Sequence, residues 1–107
     1  SENPGGVTIE LAPLLFELSH QHLNVTDINP FLIAVEFALQ GRTIVIENHI
    51  IKGDQHNRDN KSQVVTGICE MMKEMGVPAE RIVVAEVDRR EKRSGDSDIY
   101  TLGFKAL

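Results

Sequence analysis

The chain has 107 residues, enough to close one hydrophobic core and one domain without staples. Its hydrophobic fraction of 41% and charged fraction of 25% are those of an ordinary globular domain. The net charge of -5 argues against nucleic acid as a partner, because polyphosphate is bound by basic surfaces. The single Cys69 excludes an internal disulfide, and its place on an apolar helix face predicts a small buried hydrophobe rather than a reactive thiol. No apolar run approaches the ~20 residues of a membrane span, so no membrane insertion by this domain is expected.

Residues 1–6 (SENPGG) read as a flexible leader, and residues 7–107 as one domain cut from a longer protein. Val7, Ile9 and Leu11 alternate with Thr8 and Glu10, which predicts a strand with one buried face, interrupted by Pro13. Leu14-Leu15-Phe16 offers a short apolar patch before the polar Ser19-His20-Gln21-His22. Asn29 is a suitable N-cap for a helix over 30–40, with Pro30 at its first position and Gly41 closing it. Ile28 and Ile33 stand where a hydrophobic staple forms. The near-continuous apolar run of residues 42–46 predicts an interior strand.

Residues 47–60 read as a polar loop. From Lys61 onwards, Val64, Val65, Ile68, Met71, Met72 and Met75 recur at helical spacing. Gly76 then reads as a left-handed cap and Pro78 as a stop. A β-branched strand over 81–87 follows, then a charged loop over 88–96. A strand over 98–104 closes the chain, with Tyr100, Leu102 and Phe104 on one face and Ile99 and Thr101 on the other. The order strand–helix–strand–helix–strand–strand predicts an α/β two-layer sandwich: a mixed four-stranded sheet with both helices on one face.

Within that frame, Val7-Thr8-Ile9-Glu10-Leu11 with Leu15-Phe16-Glu17, Ile44-Val45-Ile46-Glu47-Asn48-His49, Lys61-Ser62-Gln63-Val64-Val65 and Gly76-Val77-Pro78-Ala79-Glu80-Arg81-Ile82 fall in a familiar order. The chain resembles the OmpA-like C-terminal domain, the peptidoglycan-associated module shared with MotB-type stator proteins and Pal-type lipoproteins. The resemblance covers most of residues 7–105. It implies a βαβαββ fold, a periplasmic location on a membrane-anchored or outer-membrane protein, and a peptidoglycan stem peptide as partner. The departures fall on the binding motif. Ile50 and Ile51 stand where the family has Thr-Asp, Lys61 where it has the ligand-pairing Arg, Asn57-Arg58 where it has Leu-Ser, and Ser97-Asp98 within its late Asn-Arg-Arg pattern. Lysine keeps the charge but loses the bidentate fork.

The resemblance thus implies a ligand pocket bounded by Glu17, His49 and Lys61, with Asp54 as a replacement acid from a rearranged loop. The binding expected of it is weak. The alternative is the same fold with a lost ligand pocket, used for homodimerisation or for docking another envelope protein. His20, His22, His49 and His56 read as loop histidines rather than as a metal set, and no cofactor is expected. Ser19 and Ser62 lack a nucleophile elbow, and Glu47, Asp54 and Asp59 lack a catalytic spacing, so no enzymatic activity is expected.

Overall fold

The computed structural model describes residues 7–19, 22–51, 55–89 and 99–107. Its elements run β1 (Ile9–Glu10), β2 (Leu14–Ser19), β3 (His22–Val25), α1 (Asn29–Leu39), β4 (Ile44–Ile51), α2 (Gln55–Glu74), β5 (Ile82–Arg89) and β6 (Ile99–Ala106). The six strands form one mixed sheet of order β3-β2-β6-β4-β5, with β1 added on β6. Among the described residues β4 and β5 run parallel and the other pairings are antiparallel.

Alternate residues of the strands face inward. Leu14 and Phe16, Ile44 and Ile46, and Tyr100, Leu102, Phe104 and Ala106 join one cluster with Phe31, Ala34, Val35 and Ala38 of α1 and Val64, Val65, Ile68 and Met72 of α2. Both helices therefore cover the same face, and the opposite face, carrying Glu17, Glu47, His49 and Lys105, is open. This is the α/β sandwich that the alternation of elements predicts.

The sheet is larger than the expected four strands because the N-terminal third contributes three. Pro13 does not end the sheet; it separates the two-residue β1 from β2, which pairs with both β3 and β6. The leader 1–6, the polar residues His20 and Gln21, and most of the charged loop lie outside the described residues.

The boundaries of α1 fall within one residue of those expected, but its cap differs. The N-cap position falls on Ile28, which makes no side-chain capping bond, while Asp27 Oδ1 just before it accepts the Asn29 N–H at 3.0 Å. The two isoleucines expected as a staple, Ile28 and Ile33, are both exposed. At the other end Gly41 has φ 108° and donates to Ala38 O. Arg81, in the 3-10 turn Ala79–Arg81 before β5, donates to the same carbonyl at 3.1 Å. A cation at a helix C-terminus meets the negative end of the helix dipole.

The expected loop 47–60 is the largest boundary correction. β4 runs on to Ile51 and α2 begins at Gln55. The polar first turns of α2 show no apolar periodicity. Once the stripe Val64, Val65, Ile68 and Met72 packs, each further turn adds hydrogen bonds at little cost, and the helix propagates backwards. Its C-terminus ends as the sequence predicts. Gly76 has φ 100°, its N–H reaches Lys73 O, and the Val77 N–H reaches Met72 O, while buried Val77 and Met72 close the turn. Met71 and Met75, expected on the buried face, lie at its margin and are exposed; Cys69 is half-buried against the core.

Candidate functional site

The β4–β6 ladder stops at Asn48 opposite Leu102, although both strands continue. Beyond that point β4 pairs only with β5, and β6 pairs with β2 through Thr101, Tyr100 and Ile99. The next residues of the two strands, His49 and Thr101, lie just beyond the paired register. Lys61 fills this split. Its Nζ donates to His49 O and, at 3.1 Å, to Thr101 O. It also lies 5.6 Å from the centroid of the Tyr100 ring, which stacks on Phe16 at 5.4 Å.

Lys61 stands nearly two turns into α2, not at its opening, and it lies on the buried stripe with Val64, Val65, Ile68 and Met72. Only 2% of it is accessible. Burying an ammonium is costly unless its donors are met, and two backbone carbonyls and an aromatic face meet them here. Asn48 is buried beside the end of the ladder, and its Oδ1 has no hydrogen-bond partner among the described residues.

The expected pocket residues do not share one surface. Glu17 is exposed on the open face of β2, opposite Asn24 and Ile99 in register. The His49 side chain is half-buried on the same open face, whereas Lys61 approaches from the helical face and donates to the His49 carbonyl. Asp54 lies outside the described residues, as does His20. His22 falls in β3 and His56 in α2. Among the described residues no group of three or more His, Cys, Asp and Glu side chains could hold a metal ion.

A second polar group on the open face centres on Lys105, which the sequence does not single out. Lys105 lies 3.2 Å from Glu47 Oε2 and 3.5 Å from Glu10 Oε2. The hydrogen bond to Glu47, helped by the charges of both carboxylates, holds the Lys105 ammonium above its ordinary pKa. Gly103 sits beneath: a side chain there would begin 3.2 Å from Glu47 Oε1 and 3.3 Å from His49 Nε2. The signal in the sequence is the period-two series Thr101, Gly103, Lys105, which sends a lysine to the open face two residues beyond a glycine. Chemically this is a flat, solvated ion-pair ladder with no nucleophile in it.

On the helical side, burial pushes the Cys69 thiol up, an effect that Lys73 opposes and Glu70 reinforces. Such a thiol is a poor nucleophile. No model of a known protein family matches the chain, and no curated protein matches it.

Proposed function

We propose that this is a non-catalytic OmpA-like domain of a bacterial cell-envelope protein whose ligand position has been absorbed into the core. It serves as a protein–protein interaction or dimerisation module in the periplasm. The strand order β2-β6-β4-β5, with α1 leading into β4 and α2 joining the parallel pair β4 and β5, supports the βαβαββ kinship; β1 and β3 then read as additions to the first strand. The observation that carries the functional part is the burial of Lys61. A cation that is 2% accessible and already donates to two main-chain carbonyls has no free approach for a ligand carboxylate. The family's Thr-Asp pair is replaced by Ile50, buried in the sheet, and Ile51 at the end of β4. A zwitterionic stem peptide would leave both of its charges unmet, at about 1–3 kcal/mol for each lost hydrogen-bonding group.

The test is a titration with a diaminopimelate-containing muropeptide, followed by NMR. No chemical-shift change is expected at residues 47–61 at millimolar ligand. A saturable change there, lost in a folded Lys61→Ala variant, would overturn the reading and restore peptidoglycan anchoring.

A further inference from the structure

α1 carries one charged residue, Glu36, yet buries a single face, and a helix apolar nearly all round is normally enclosed. Ile28, Leu32, Val35 and Leu39 recur at spacings of four, three and four, the seam by which one helix receives another. Val35 is buried; the other three lie on the flank beside it and are exposed. That flank faces α2. Both helices run antiparallel to β4, to which short connections join them, so they are parallel to each other, α1 over β6 and α2 over β4. Their C-termini meet where a methyl on Gly76 would lie 3.7 Å from Leu39 Cδ2. On the opposite flank of α1, the Phe37 ring lies 6.0 Å from the Arg42 guanidinium. A right-handed crossover from β4 to the parallel β5 turns Met71 of α2, and Met75 just past its end, towards α1. Ile28, Leu32, Leu39, Met71 and Met75 are 41–52% exposed, so the two helices wall an apolar groove roughly 16 Å long. Ile28, exposed instead of stapled, and the two methionines, exposed instead of buried, are thus placed by one feature.

We infer that this groove seats a basic amphipathic helix of another protein. The seam selects a helix, because apolar residues at four–three spacing on the partner interdigitate with Ile28, Leu32 and Leu39. Met71 and Met75, unbranched and adaptable, close over it from the other wall. The lips select the charge. Glu36 of α1 and Glu70 and Glu74 of α2 are exposed along them, while Lys73, on the far side of α2, is tied to Glu70 at 3.3 Å. Lysine or arginine flanking the partner's apolar stripe meets these carboxylates. A second copy would set its own Glu36 against them, and an anionic surface would be repelled in the same way.

The inference rests on the interaction-module reading and names the class of its partner. Its test titrates the whole labelled chain, followed by NMR, with a peptide of about three heptads carrying leucine at a and d and lysine and alanine elsewhere. Saturable shift changes are expected at residues 28–39 and 67–76. Leu32→Glu and Met71→Glu, at exposed positions, are expected to keep the parent's circular dichroism and to weaken binding about tenfold or more. Ile33→Gln, exposed on the outer side of α1 away from the seam, is expected to leave binding unchanged. Replacing the peptide's lysines by glutamate is expected to weaken binding about tenfold at low salt. Should a glutamate variant unfold, Leu32→Ala and Met71→Ala carry the same expectation. No saturable change, equal binding of a scrambled peptide of the same composition, or indifference to both groove variants overturns the inference. Concentration-dependent shifts at the same residues without peptide, matched by a dimer in sedimentation, give the groove to a second copy and overturn it too, while the interaction-module reading stands. Muropeptide shifts at residues 47–61 would remove that reading and leave the groove result untouched.

Discussion

Lys61 occupies a place that its neighbours on the helix fill with valine, isoleucine and methionine, and it does so because the sheet is split beneath it. Removing it takes an ammonium donor from the His49 and Thr101 carbonyls and leaves a gap over Tyr100. Lys61→Ala is therefore expected to cost about 2–4 kcal/mol in urea unfolding, the range for stripping a buried charged donor from its acceptors. A loss below roughly 0.5 kcal/mol, the scale of an ordinary surface change, would mean that the split holds itself together without the ammonium. Lys105 gives a pH signature instead. Its pKa is raised in the folded chain, so its contribution is fully present below the ordinary lysine value of about 10.4 and is lost as pH rises through the folded value. The effect is small because a third of the side chain is exposed. Lys105→Met should flatten the alkaline fall in melting temperature relative to the parent. Gly103→Ala should do the same by crowding Glu47 away, and equal alkaline slopes in all three proteins would refute the coupling.

The elements differ in how plainly the sequence announces them. The end of α2 is legible because it is local. A glycine at positive φ followed by valine and proline satisfies the last carbonyls whatever the rest of the chain does. Gly76→Ala is expected to cost about 1–2 kcal/mol by thermal or denaturant melting, wholly from the backbone, because the new methyl would meet only Leu39 at an ordinary 3.7 Å. An unchanged midpoint would show that the turn can relax out of the left-handed region. The hairpin of β2 and β3 is illegible for the opposite reason. Leu14–Ser19 has no β-branched residue and becomes a strand through pairing with β6, as where Phe16 meets Tyr100 across most of the sequence. Likewise the polar start of α2 follows from the packing of its later turns. The site shows both cases at once. Lys61 stands three and four residues before Val64 and Val65, so its place on the buried face could be read from spacing. The split that receives it could not, since it depends on where two strands part.

At the scale of the whole molecule, the alternation of helices and strands is enough to give an α/β sandwich, but not the rank of its strands. The segment over 98–104 reads as a closing strand, whereas β6 lies in the middle of the sheet, between β2 and β4 and carrying β1. That position has a consequence for how the fold comes into being. A ribosome delivers β6 after every other strand. Until it emerges, the chain holds only two disconnected fragments, the β2–β3 hairpin and the parallel pair of β4 and β5 bridged by α2. Neither fragment owns a complete apolar floor for the helices, because Tyr100, Leu102, Phe104 and Ala106 are still missing. The nascent domain is thus kept open by its own topology until its final stretch is free. Closure of the sheet therefore waits on the strand that joins its two halves.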